Sequence, residues 1–510
     1  MTSVSSPPER LFELWGEIKD LLSAQELLHW DQETQMPPRG LEGRSQALSM
    51  LAGLHHEKLC ATELGDVLEA CSELVEEGRG SSQEGLDTQV LAAQVEEARR
   101  QVNQATKVPL ALAKELAELQ STGLAAWLEA RERQDFSSYQ PFLERMIELK
   151  RQQAEALADG GHLYDALLDE FEPGLTEQEL VPLFDQLREA LGELVRETVE
   201  SGHQVDEGAI EGNYPDSGQL ALGRHLAEAI GFDFKAGRID ASAHPFCIGI
   251  SRGDVRLTWR SERNDLRPAV FGILHEAGHG LYEQGLPAEW DRTPLGASVS
   301  LGIHESQSRL WENLVGRSRA FWHWALPELH RTFPEARDLT VETLWPALHA
   351  VRPSLIRVEA DEATYNLHVA IRFDLERKLF AGALEVKDLP LAWDDAYEAL
   401  LGVRAENPAD GVLQDIHWSL GSFGYFPTYT LGTLAASQLF EAAKAELGDL
   451  DEAFRQGEFQ PLLAWLREKV HLHGCRFKTQ ELLQRSTGRT LSPDDFLRYI
   501  RTTTEEVYGL

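Results

Sequence analysis

His275-Glu276-Ala277-Gly278-His279 constrains this chain more than any other stretch. Two histidines four positions apart meet at one point when the backbone between them is helical, because i and i+4 lie one turn apart on the same face. The flanking residues read as that helix. Asn264 and Asp265 offer N-caps, Pro268 suits the first turn, and Gly285 followed by Pro287 marks the stop. Val270, Ile273, Leu274, Ala277 and Leu281 make most of its surface apolar, so the helix belongs in a core. A buried helix carries two imidazoles and a carboxylate only where something satisfies them. A metal ion does so, and Glu276 beside the first imidazole then stands where a general base is needed. The chemistry indicated is metal-assisted hydrolysis, with His275 and His279 as ligands.

A catalytic zinc has three protein ligands and an open position for water. Residues 298–313 read as a second helix, capped by Ser298 or Ser300, and carry His304 and Glu305 side by side. Adjacent helical residues point about 100° apart, so one of the two faces the metal. Glu305 is the expected third ligand, with His304 as the alternative. The Glu-x-x-x-Asp pattern of thermolysin-like enzymes is absent, since Arg309 stands four residues after Glu305. A carboxylate that orients a ligand histidine must come from elsewhere, and Glu312 on the same face is a candidate.

Leu-, Ala- and Glu-rich helical periodicity fills residues 8–28, 84–135, 137–158, 176–202 and 432–447, with short breaks at 78–85 and at Asn407-Pro408. The expected fold is mainly α, one continuous unit over residues 1–510, with an N-terminal helical portion to about residue 200 and a catalytic portion beyond it. One hairpin stands out, Phe246–Ser251 and Val255–Arg260 about an Arg252-Gly253-Asp254 turn, just before the metal helix. Asp254 and Arg256 share one face of its second strand, where they brace one another or meet substrate. An edge strand here can also hold an extended peptide by strand addition.

Acidic residues outnumber basic ones 84 to 48, for a net charge of −36. That excludes nucleic acid and anionic membranes as natural partners. Cys60, Cys71, Cys247 and Cys475 form no C-x-x-C pair, no signal-peptide pattern opens the chain, and no segment reaches 18 consecutive apolar residues. A reduced cytoplasmic protein is the expectation.

Beyond the histidine motif the sequence resembles the carboxypeptidase Taq family of thermostable metallocarboxypeptidases. The resemblance rests on His244-Pro245-Phe246, on Asp254, Arg256 and Thr258, on the His275–His279 motif, and on His304-Glu305-Ser306-Gln307. It continues through Ile356-Arg357 with Ala360-Asp361, and through Gly411, Gln414, Asp415, His417 and Trp418. Trp30-Asp31 to Met36-Pro37 and Gly424 to Tyr429 match further family stretches, so the similarity runs from about residue 10 to the C-terminus. It implies a large helical fold with a deep substrate groove and removal of single C-terminal residues from peptides. Zinc, replaceable by cobalt, and a homodimer are implied as well. Peptidyl-dipeptidase and oligo-endopeptidase specificities share the metal chemistry and are the alternatives. A peptide-binding protein that does not cut would lack a base or a ligand, and neither is missing.

Recognition of a free C-terminus calls for a cation, and arginine binds a carboxylate bidentately. Arg357 is the expected residue, near the start of a long helix from Ser354 to about Phe380, where Asp361 at i+4 offers an ion pair. Arg352 is the rival. His417 and Tyr425, with Asp415 and Tyr429 nearby in sequence, are candidates to hydrogen-bond substrate or a developing oxyanion. His244 joins the candidate substrate contacts.

Overall fold

The computed structural model describes residues 5–78, 87–158 and 160–510. The first helices are α1 (Pro7–Thr34), α2 (Leu41–Leu59), α3 (Thr62–Glu76) and α4 (Thr88–Lys107). There follow α5 (Leu110–Arg133), α6 (Phe136–Ala158), α7 (Leu163–Leu168), α8 (Glu177–Ser201) and α9 (Asp216–Ile230). The periodic stretch expected at 84–135 is thus two helices. Pro109 separates them: it disfavours helical backbone at Val108, whose ψ is 119°, and supplies no N–H. The break expected at 78–85 lies, past Gly78, outside the described residues.

Three strands come next, β1 (Gly237–Ala241), β2 (Cys247–Ser251) and β3 (Asp254–Trp259). β2 and β3 are the expected hairpin, and β1 adds a parallel partner on the other side, giving the order β1-β3-β2. The register sets Cys247 opposite Leu257 and Gly249 opposite Val255. Val255 and Leu257 are fully buried towards α10 (Arg267–Gly285), the metal helix, while Asp254 and Arg256 lie on the opposite face. β2 is an edge strand, but α1 lies against it and Ser23 Oγ donates to the Ile250 carbonyl at 2.8 Å.

The remaining helices are α11 (Leu301–Arg309), α12 (Arg319–Thr332), α13 (Val341–Leu348), α14 (Tyr365–Ala381) and α15 (Leu389–Leu401). After them come α16 (Pro427–Leu447), α17 (Leu450–Arg455), α18 (Gln460–Lys469), α19 (Thr479–Thr487) and α20 (Asp494–Tyr508). Buried apolar side chains form two clusters. One joins Leu11, Leu14 and Trp15 of α1 to Leu64, Leu68, Leu91 and Val95 of α3 and α4. The larger runs from Leu112 to Tyr508, so α5, α6 and α8 share the core of the metal helix.

One helix differs from expectation. Arg357 does not begin a long helix; it starts a single 3-10 turn, Arg357–Glu359, and α14 begins only at Tyr365. Asp361 is the reason. Its carboxylate accepts from the N–H groups of Ala363 and Thr364, the Thr364 hydroxyl and the Arg352 N–H, so it closes the turn ahead of α14 instead of pairing with Arg357.

Candidate metal centre

α10 starts at Arg267 with Leu266, not Asn264 or Asp265, at its cap position; the Asp265 carboxylate still accepts the Arg267 N–H, and Pro268 sits in the first turn. The His275 and His279 rings lie one turn apart, with centroids at 4.9 Å. α11, capped by Ser300, brings Glu305 across to them. Its Oε2 is 3.6 Å from His275 Nε2 and 3.5 Å from His279 Nε2, and one donor atom from each residue lies within 4.8 Å of the others. Two imidazole nitrogens and one carboxylate oxygen at this spacing could hold a divalent metal ion.

The approach depends on glycines. A Cβ at Gly278 on α10 would stand 2.6 Å from both the Gln307 carbonyl oxygen and Ser308 Cα. A Cβ at Gly432 on α16 would stand 2.5 Å from the Cβ and Cγ of Glu305. α11 thus meets a bare backbone on α10 and another on α16. Gly272, also on α10, has nothing within 4 Å of its Cβ position. Gly278→Ala should therefore lower stability by about 1–3 kcal/mol through overpacking and weaken metal binding. Gly272→Ala should be neutral or gain up to about 1 kcal/mol from helix propensity. Thermal melts and metal titrations of the two variants check this; equal melting temperatures would mean that α11 yields freely.

Each histidine is held from behind. His275 Nδ1 lies 2.7 Å from Glu312 Oε2. His279 Nδ1 lies 2.5 Å from His304 Nδ1, and His304 Nε2 is 2.8 Å from Glu283 Oε1. With both Nε2 atoms turned to the common centre, His275 donates to Glu312, and His279 donates to His304, which donates to Glu283. His304 therefore stands behind His279, while Glu305 faces both rings. Glu312 reaches His275 from a single π turn, Leu310–Val315, that continues α11.

Burial and then His304 push His279 down to about 3, keeping it neutral. For His275 burial is outweighed by Glu305 and Glu312, which lift it to about 9. Burial opposes ionisation of Glu305 too, yet His275 and Arg309 hold it well below the usual carboxylate range. Glu276, 6% exposed, is raised by burial to about 7.

A second polar cluster is joined to the first through Tyr365. The Arg309 guanidinium lies 4.4 Å over the Tyr365 ring, and Arg357 Nη1 donates to the Tyr365 hydroxyl at 2.9 Å. Arg357 also donates to Asp415 Oδ1, from Nη2 at 2.8 Å and Nε at 3.1 Å. Arg372 donates from Nε to Asp415 Oδ2 at 2.6 Å and from Nη2 to Gln414 Oε1 at 2.8 Å. Two guanidiniums thus share one carboxylate, leaving a local charge of +1 in a chain of net charge −36. Aromatic rings enclose it: Arg357 is 4.9 Å from the Tyr429 centroid and 5.5 Å from that of Phe426. His417 Nε2 sits 3.2 Å from the Tyr429 hydroxyl, and burial followed by Arg357 pushes His417 down to about 3. Tyr425 packs edge-on against Phe171 and Tyr429, with centroids at 5.1 Å and 5.4 Å.

Over residues 10–504 the chain matches the carboxypeptidase Taq (M32) metallopeptidase family. It belongs to that family. It is 44% identical to thermostable carboxypeptidase 1 of Thermus thermophilus, covering 98% of this chain and 99% of that one. Carboxypeptidase 1 of Bacillus subtilis is 35% identical over 98% of this chain and 99% of its own. Among solved structures, the M32 carboxypeptidase of Deinococcus radiodurans superposes with a TM-score of 0.94 at 39% identity, covering 99% of this chain and all of that one. The chain is accordingly a metal-dependent carboxypeptidase with a mainly helical fold, acting on peptides.

Within this M32 fold the other sequence candidates are placed as follows. Asp254 and Arg256 pair with each other through two contacts of 2.8 Å. Arg256 then lies 4.2 Å over the Trp30 ring of α1, and Arg238 of β1 lies 4.7 Å over the same ring. The pair thus braces α1 on the sheet. His244 is exposed in the β1–β2 loop, and its carbonyl accepts the Ser242 hydroxyl at 2.7 Å. Arg352 is 67% exposed at its side chain and pairs with Glu207. Sequence reasoning did not single out Glu283, Arg309 or Arg372. Glu283 was findable, since 275, 279 and 283 repeat the i, i+4 spacing, as was Arg309, at i+4 from Glu305. Arg372 gave no such signal. Among the described residues no helix is long and apolar enough to cross a membrane.

Proposed function

We propose that this metallocarboxypeptidase uses zinc held by His275, His279 and Glu305, with Glu276 as general base and Arg357 as the anchor for the substrate's terminal carboxylate. What supports the reading most is one observation: a partly buried two-histidine, one-carboxylate centre connected through Tyr365 to a net-positive, aromatic-walled cluster. When bound, the metal supplies Lewis-acid polarisation and a water of lowered pKa. Glu276 would serve as the general base, taking a proton from the attacking water and returning it to the leaving amine nitrogen. Arg357, aimed by Asp415 and Tyr365, receives the carboxylate, which fixes the last peptide bond as the one presented. The phenols of Tyr425 and Tyr429 donate towards the carbonyl oxygen as it gains charge, and neutral His417 holds the Tyr429 hydroxyl in place. Asp254 and Arg256, paired on the sheet face turned away from α10, act at a distance by holding α1 on the sheet.

Two experiments test this. An N-blocked peptide should be trimmed residue by residue, and its C-amidated twin should resist; equal cleavage of both would favour an endopeptidase. Chelation should abolish turnover, and added zinc or cobalt should restore it. Full activity in metal-free protein would end the metal reading. A cytoplasmic homodimer belongs to the same proposal. It rests on the family resemblance and on four unpaired cysteines, and light scattering of the purified chain checks the dimer.

A further inference from the structure

The two oxygens of Glu305 have different surroundings. Oε2 faces the two imidazoles, whereas Oε1 accepts Arg309 Nε at 2.7 Å. Arg309 is only 15% exposed at its side chain. Its Nη1 reaches to 3.6 Å from Glu312 Oε2, the same oxygen that holds His275 Nδ1. Its planar face rests on Tyr365. One guanidinium therefore touches the carboxylate that faces the metal position, the carboxylate behind a ligand histidine, and the aromatic ring leading to Arg357. Glu305, Arg309 and Glu312 stand at i, i+4 and i+7, which gathers them on one helical face.

This matters because a carboxylate can bind a cation through one oxygen or two. Bidentate binding would add an oxygen to the coordination shell and crowd the position that a catalytic site keeps for water. A guanidinium hydrogen-bonded to one oxygen removes it from competition and fixes the rotation of the carboxylate plane. We propose that Arg309 is a positioning residue that confines Glu305 to single-oxygen ligation, so keeping one coordination position open. The proposal rests on the His275–His279–Glu305 centre.

The test uses cobalt(II) loaded into the purified full-length chain. Visible absorption by cobalt(II) is strongest at four-coordinate centres, severalfold weaker at five-coordinate ones and weakest at six-coordinate ones. Arg309→Met keeps an unbranched stem over Tyr365 and removes every donor. It should lower the visible absorptivity severalfold, and X-ray absorption should find one more oxygen neighbour than in the parent. Zinc Kd should rise about 10–100-fold, the usual effect of losing a partner that orients a ligand. Arg309→Lys should recover part of the affinity and part of the spectrum. Should Arg309→Met fail to fold, Arg309→Gln is read by the same two measurements, because its shorter amide cannot span to both carboxylates. A parent-like spectrum and coordination number in a folded, neutral variant would overturn the proposal. If the parent itself takes up no cobalt, the His275–His279–Glu305 centre fails and the proposed role of Arg309 falls with it, an outcome distinct from a parent-like spectrum in the variant.

Discussion

Glu276→Gln should bind metal as the parent does and lose turnover by about two to four orders of magnitude, the range expected for a missing general base. The substitution keeps shape and polarity and removes only the ability to take a proton. Glu276 is a neighbour of His275 and is not among the three donors that converge, so metal content should stay at parental stoichiometry. Its protonation also predicts a pH profile. Burial raises the carboxyl to about 7, and a cation at the adjacent centre pulls it lower again. Only the ionised form accepts a proton, so kcat/KM of the parent should rise with pH through this pKa. The residual rate of Glu276→Gln should lack that acidic limb. Near-parental kcat in a metal-loaded variant would mean that another group takes the proton from the water.

The metal helix was legible because its signals are local. A proline in the first turn, an apolar surface and an i, i+4 histidine pair all lie within about 20 consecutive residues. The hairpin was legible for the same reason. β1 was not, since its partner β3 is reached only after β2 has been passed, and a short strand carries little periodicity of its own. The Arg357 segment was misread because Asp361 is satisfied partly by the Arg352 N–H, nine residues back, which no helical template anticipates. Glycine roles were equally hidden. Gly278 and Gly432 are far apart in sequence, and only the packed helices show that both press on α11. The π turn at 310–315, which brings Glu312 to His275, leaves no mark on the spacing that distinguishes it from ordinary helix.

Arg357→Ala should lower kcat/KM for an N-blocked, free-acid peptide by about two to three orders of magnitude, equivalent to about 3–4 kcal/mol and within the cost of breaking a buried charge pair. A carboxylate entering a protein of net charge −36 needs a paired cation. Near the centre the candidates are Arg309, Arg372 and Arg357. Arg309 is committed to Glu305 and Glu312. Arg372 is fully buried and divides its donors among His368, Tyr397, Gln414 and Asp415. Arg357 has four per cent of its surface exposed and reaches the same ring as Arg309, and it is the cation we propose for the carboxylate. Losing it leaves Asp415 paired with Arg372, so the fold and metal content should survive. Arg357→Lys should restore only part of the loss, because an ammonium cannot present two parallel donors. The C-amidated peptide separates recognition from damage. Its slow cleavage should be the same in parent and Arg357→Ala if the lost energy belongs to the carboxylate. An equal fall on both substrates would instead assign Arg357 to holding Asp415 and the Tyr365 ring in place, and the anchor would have to be sought among the other cations.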